Sequence, residues 1–271
     1  MFKIFLLLIL FIVSVFGTIV EDKVKNIIGV ERYNQHQKLI KLKFGNEENF
    51  IVNGKINYFK FFRTLQKNGL LNLKLDKIKN INIVFKAPNS SFKIYKIIDD
   101  TIKVLGYRYF FTKKMGVDKD KFFLWSITFR AEYMLDPVEL LGELLKDRVV
   151  IDDITIDQNG NWIYKIDFEN SILHNSYKIE KNEKVIFHKP LKPYMLSVED
   201  PKSIKVISRK LNNWFPYIVF FDKDLNILEV IKKNKKYKGL KVDVPSGTKY
   251  IKITDRYNLI NIKRGLSIIV R

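Results

Sequence analysis

The chain contains no cysteine. Disulfide staples, thiol nucleophiles and thiolate metal sites are therefore excluded, and packing alone must hold the fold together. Histidine is scarce: only His36, His174 and His188 occur, and none has a second histidine or a carboxylate at metal-ligand spacing. There is no G-x-S-x-G elbow, no Walker phosphate loop and no G-x-G-x-x-G dinucleotide fingerprint. With no convergent acid, base and nucleophile, the sequence reads as non-enzymatic, with no metal and no cofactor expected.

What is present begins with an address. Lys3 precedes an unbroken apolar run from Ile4 to Val13, followed by Ser14 and a Val15-Phe16-Gly17 ending. That layout predicts a cleavable signal peptide over 1–17 and a periplasmic mature chain. Because apolar residues continue to Val20, the alternative is an uncleaved anchor in the inner membrane, the one case in which membrane contact is expected. Hydrophobic residues make up 46% of the 271, enough to offset the entropy of folding and exclude a disordered tether.

The formal charge is +20. Compositional bias is one explanation, since Lys outnumbers Arg about four to one, whereas phosphate and carboxylate readers favour the bidentate Arg fork. The charge is uneven, however: about +13 from Tyr177 onward, against about +6 for Thr18 to Ser176. Any polyanion contact therefore belongs to the C-terminal half, and export points it towards envelope polymers and away from nucleic acid.

Segment 18–54 reads as helical or irregular: Val20, Val24, Ile27 and Ile28 have helical spacing ending at Gly29, while Leu39–Phe44 alternates with lysine and fits no element. Segment 55–170 is clearer. Asn57 caps a helix with Phe59, Phe62 and Leu65 inward, stopped at Asn68-Gly69. Ile81, Ile83 and Phe85 alternate as a strand. Pro88-Asn89-Ser90 starts a helix with Tyr95, Ile98, Ile102 and Leu105 inward, closed by Gly106. Strands follow at 107–112 and 123–133, then a helix from Asp136-Pro137-Val138-Glu139 with Leu141, Leu144 and Leu145 inward. A hairpin of 149–157 and 162–168 turns at Asn159-Gly160, the type I′ dipeptide. Two αββ units in succession predict one antiparallel sheet with both helices on one face.

From 171 the helical period vanishes. Region 171–200 is read as linker and first strands, and 201–271 as a basic all-β sandwich of short, evenly spaced strands. The fold class expected overall is α+β, a two-layer ferredoxin-like (αββαββ) domain followed by that sandwich.

Two motifs are better explained locally. Ser90-Ser91-Phe92-Lys93 matches S-x-x-K without the companion S-D-N and K-T-G elements, so Ser90 reads as a helix cap. Asp222-Lys223-Asp224 begins like a calcium loop, but Ile227 stands where Gly is required and Lys233 where Glu is, so a hairpin turn fits better. The densest basic run supplies the candidate polyanion site: Lys232, Lys233, Lys235, Lys236 and Lys238. Trp214, Tyr217 and Tyr257 are the candidate glycan-stacking aromatics.

The αββαββ order, with W-S-I-T-F-R-A-E-Y leading into D-P-V-E-L-L-G-E-L-L, resembles the periplasmic ferredoxin-like domains of pilus and type II secretion assembly proteins, the PilN and PilO type. That resemblance implies pairing between proteins without catalysis. Phrases such as Lys67-Asn-Gly-Leu-Leu-Asn-Leu73 and Asn213-Trp-Phe-Pro-Tyr-Ile-Val-Phe-Phe-Asp222 are similar to hypothetical exported proteins of Campylobacter-type bacteria. The function expected is a periplasmic protein that binds or scaffolds an envelope protein; the alternative is a polyanion- or glycan-binding module acting through the basic C-terminal domain.

Overall fold

A computed structural model describes residues 19–88 and 91–271. The expected leader (1–17) and the Ser90 cap lie outside the described residues. The chain is α+β and divides into two units: the described residues to Pro88 with Asp99–Ser171, and Ser91–Ile98 with Ile172–Arg271. No helix among the described residues is long and apolar enough to cross a membrane.

The first unit opens with three helices, α1 (Ile19–Ile28), α2 (Val30–Gln35) and α3 (Gln37–Phe44). Val20, Val24 and Ile27 are buried at one-turn spacing on α1. Gly29, at φ 83°, separates α1 from α2. The stretch that alternation left unassigned is α3, whose inward residues, Ile40 and Phe44, lie four apart and override the local lysine pattern. A small hairpin, β1 (Ile51–Val52) and β2 (Lys55–Ile56), leads into α4 (Tyr58–Lys67). Asn57 caps α4 by accepting from the Lys60 N–H at 3.0 Å. Gly69 ends it at φ 66°, with Leu70 N donating to Leu65 O.

The sheet of this unit has the order β4–β5–β3–β7–β6, formed by β3 (Lys74–Ala87), β4 (Phe111–Val117), β5 (Phe123–Tyr133), β6 (Val150–Ile156) and β7 (Trp162–Asp167). The expectation of a purely antiparallel sheet is corrected, because β3 pairs in parallel with β7. Connections explain why. Helix α5 (Phe92–Val104) links β3 to β4, and α6 (Pro137–Lys146) links β5 to β6; strand–helix–strand crossovers return parallel. The tight β6–β7 hairpin then brings β7 back alongside β3. The strand expected at 107–112 is shifted along the chain to Phe111–Val117.

Two inward faces hold at their centres, Ile98 and Ile102 on α5 and Leu141 and Leu144 on α6, and differ at one edge each. On α5 the buried side is Ile94, Ile97, Ile98 and Ile102, while Tyr95 is exposed. On α6 Leu140 is buried and Leu145 exposed. In both, one residue of phase separates neighbouring apolar positions that suit the stripe almost equally. One face of the sheet carries a row of cross-strand aromatics: Trp125, Phe85 and Tyr164 occupy adjacent strands, with Phe85 centroids 6.3 Å from Trp125 and 5.8 Å from Tyr164. Such neighbours bury large areas and contribute beyond area alone.

The second unit holds two sheets. One has the order β13–β12–β15–β10–β8, from β8 (Tyr177–Lys178), β10 (Tyr194–Ser197), β12 (Pro216–Phe221), β13 (Ile227–Lys232) and β15 (Tyr250–Asp255). The other has the order β14–β11–β16–β9, from β9 (Lys184–Ile186), β11 (Ser203–Ser208), β14 (Gly239–Asp243) and β16 (Leu266–Val270). Ile218, Phe220, Ile251 and Ile253 of the first sheet and Ile204, Val206, Leu266 and Ile268 of the second meet in one hydrophobic cluster around Trp214.

One turn recurs in both units. At Asp118–Phe122, Asp157–Asn161 and Asp222–Asn226 the first residue's N–H donates to the fifth residue's carbonyl, and the Asp carboxylate accepts N–H bonds from the third and fifth residues. The fourth residue takes positive φ: Lys121 64°, Gly160 76°, Leu225 63°. The Asn159-Gly160 turn is therefore a five-residue loop and not type I′, which would require positive φ at both residues.

Candidate functional site

The calcium-like turn at Asp222, Lys93 and the Asp152–Asp153 pair each sit in a network of local bonds. Among the described residues no cluster of His, Asp and Glu could hold a metal ion. The Asp222 carboxylate is occupied by the N–H groups of Asp224 and Asn226 and the Asn226 amide; burial raises its pKa, but these donors outweigh that and leave it lowered. Donors surround it where a calcium ion would need free lone pairs. Lys93 is buried, which pushes its ammonium down from the usual range against the pull of Asp224, and its N–H donates to Asp224 O at 3.1 Å.

Asp152 and Asp153 sit at a bulge in β6. Asp152 pairs with Lys55 at 2.5 Å. Asp153 accepts from Lys23 Nζ at 2.7 Å, Tyr58 Oη at 2.5 Å and the Ile154 N–H at 2.9 Å. Burial raises its pKa, but the Lys23 and Tyr58 bonds prevail and hold it below the ordinary carboxylate value. A general acid needs the opposite shift, so this carboxylate anchors α1 and α4 to the sheet.

The feature that stands out is one end of the second unit, where three loops converge. They are 209–215 between β11 and β12, 233–238 between β13 and β14, and 256–265 between β15 and β16. Backbone hydrogen bonds tie them together: Tyr237 N to Trp214 O at 2.9 Å, Asn213 N to Asn261 O at 2.8 Å and Arg256 N to Phe215 O at 2.9 Å. Asp255, 6% exposed at the end of β15, accepts from the N–H groups of Phe215, Tyr257 and Asn258 and from the Asn261 amide. Four donors satisfy this buried carboxylate, so it ties loops 209–215 and 256–265 together from beneath the surface. Gly265 ends loop 256–265; at φ 85° a Cβ there would lie 1.8 Å from Phe187 O.

These loops carry Arg209 and Lys210, then Lys233, Lys235, Lys236 and Lys238, then Arg256, Lys263 and Arg264, every one exposed. They contain no Asp or Glu, and among the described residues none of these cations pairs with an acid. The opposite end, joined by Val198 N to Lys249 O, Lys249 N to Phe221 O and Asn182 N to Val270 O, holds Glu180, Glu183, Glu199, Asp200, Asp222, Asp224 and Asp243. The acids of this unit thus gather at the opposite end, where Lys178, Lys181, Lys202, Lys223, Lys249 and Arg271 offset them, whereas the loop end exposes cations alone and so concentrates positive field.

The five nominated lysines share this end. Lys232 terminates β13 with its ammonium 5.5 Å from the Tyr217 ring, and Lys252 approaches the same ring at 5.7 Å. Tyr217 thus holds two cations and does not offer a vacant sugar platform. Trp214 is corrected outright: it is 0% exposed, with Nε1 donating to Thr254 O at 3.0 Å, because an indole is the largest filler available for the cluster between the sheets. Tyr257 remains accessible at 61% exposure, edge-on to Phe215 at 5.0 Å. The lysine run alone pointed to this site; Arg209, Lys210, Arg256, Lys263 and Arg264 were invisible because they come from separate loops brought together only by folding.

No protein-family model matches the chain, and no curated protein matches its sequence.

Proposed function

We propose that this is an exported, non-catalytic protein that binds an anionic polymer or surface of the cell envelope through the loop end of its second unit. The carrying observation is that nine exposed cations stand on three acid-free, mutually hydrogen-bonded loops. On this reading the second unit is a β-sandwich, its paired sheets serving as a rigid mount. The first unit is a ferredoxin-like layer in which β3, β5 and β4 keep the split βαβ arrangement and the β6–β7 hairpin extends the other side.

Joint replacement of Lys233, Lys235 and Lys236 by Gln tests the proposal on an anionic column. The variant should elute at distinctly lower salt than the native protein and show a shallower salt dependence. Unchanged retention would remove the loop end as the binding surface.

A second reading, protein scaffolding, has its own observation. Edge strand β4 has an unpaired backbone edge able to receive an added strand, with Met115 (46%) and Val117 (58%) exposed on one face and Phe111 (76%), beyond the bulge, on the other. Lysine at Met115 would abolish capture of a protein partner through this edge and leave column retention intact.

A further inference from the structure

We propose that the loop end docks on a lipid bilayer bearing anionic headgroups, inserting Leu211, Tyr257 and Ile260 among them; this rests on the anion-binding reading and names its occupant. A soluble polyanion needs cations alone. Here three large apolar or amphipathic side chains project among the cations, Leu211 at 73%, Ile260 at 67% and Tyr257 at 61% exposure. Positive charge around protruding apolar tips suits the boundary where phosphate gives way to hydrocarbon, and tyrosine is favoured at that depth.

The tips are held outward by the fold. Leu211 has φ 70° in a turn closed by Asn212 N to Arg209 O, and the Asn212 side chain donates to Gly265 O and accepts from Arg264 N. Ile260 lies in a single 3₁₀ turn, Leu259–Ile262, started by Asn258, whose side chain accepts the Ile260 N–H at 2.9 Å. In that turn Ile262 is buried and Leu259 packs on the hydrophobic cluster, leaving Ile260 as the outward residue. Both loops therefore present their apolar tips already ordered, which lowers the entropic cost of insertion. Positive charge is concentrated at the loop end and offset by acids at the far end, so a negative surface attracts the loop end first and orients the unit.

The test is sedimentation of the full chain with two sets of vesicles, phosphatidylcholine alone and phosphatidylcholine carrying phosphatidylglycerol, alongside retention on a heparin column. The native protein should bind the anionic vesicles preferentially, and Leu211→Ser with Ile260→Ser should weaken that binding at least about tenfold while heparin retention is unchanged. Both positions are exposed, so an unaltered thermal transition confirms that the variant folds. Equal binding by the variant would overturn insertion, as would native binding indifferent to phosphatidylglycerol. Heparin retention without vesicle binding would overturn the bilayer as occupant and leave the anion-binding reading standing. Failure of both would remove the two together.

Discussion

Replacing Arg148 by glycine should stabilise the first unit, and the structure gives the size of the gain. Helices α4, α5 and α6 end in the same way, with two N–H groups folding back onto the last turn. The pairs are Gly69 N to Gln66 O and Leu70 N to Leu65 O, Gly106 N to Lys103 O and Tyr107 N to Ile102 O, and Arg148 N to Leu145 O and Val149 N to Leu144 O. This closure requires a left-handed residue, and φ is 66°, 93° and 58° at Gly69, Gly106 and Arg148. Only the third end places a Cβ there. A left-handed L-residue costs about 1–2 kcal/mol, while glycine returns about 0.5–1 kcal/mol through its freer unfolded chain, so the net gain is about 0.5–1 kcal/mol. Arg148 is exposed, so little packing is lost. Urea unfolding followed by Trp125 and Trp162 fluorescence should show a higher midpoint at unchanged slope. Gly69→Ala should lower the midpoint, a loss of about 1 kcal/mol in stability, and Lys121→Gly, at φ 64° in an exposed turn, should repeat the gain. A neutral or destabilising Arg148→Gly beside a harmless Gly69→Ala would refute the reasoning.

Gly265→Ala should destabilise the second unit by about 3 kcal/mol, because its Cβ collides with the Phe187 carbonyl and φ is already left-handed; Trp214 fluorescence on urea titration reports it, and an unshifted midpoint would contradict the geometry. Asp153→Asn should cost about 1–3 kcal/mol at neutral pH by weakening the bonds to Lys23 and Tyr58. Its pH dependence has a fixed sign. The folded carboxyl lies below its unfolded value, so its stabilisation is present above that value and is lost as pH falls through the folded pKa. Acid titration of stability should therefore be flatter in the variant than in the native protein, and parallel curves would dismiss the role.

Legibility followed the range of the interactions. The strand Phe123–Tyr133 and the α6 start at Asp136-Pro137 were readable because alternation and capping are local: Phe123, Trp125, Ile127 and Phe129 are buried, and Asp136 accepts the Val138 N–H at 2.8 Å. The short strands after residue 171 were marked by turns in the same way. What escaped was set by partners distant in sequence. The place of β3 at the sheet centre depends on two crossovers, and the exact edge of the inward stripe on α5 and α6 depends on which of two adjacent apolar positions is buried. Trp214 looked like a binding platform because composition cannot tell an aromatic beside a strand from one beneath it. The basic site was half visible, since a run such as Lys232–Lys238 is contiguous whereas loops meeting through Asp255 are not.

This geometry also bears on whether the charge of +20 is merely compositional. In the 23 residues of the three loops, the overall composition would supply about four cations and about two acids. Nine cations and no acids occur. Compositional bias can raise the number of lysines, but it has no means of sending acids to the far end of the same strands. Nor does it place the one acid adjoining these loops, Asp255, beneath the surface with four donors on its carboxylate. Arginine, which the general bias disfavours, supplies Arg209, Arg256 and Arg264 of the nine. Segregation, burial of the single adjoining carboxylate and local arginine enrichment are independent of one another. All three favour a surface selected to meet negative charge.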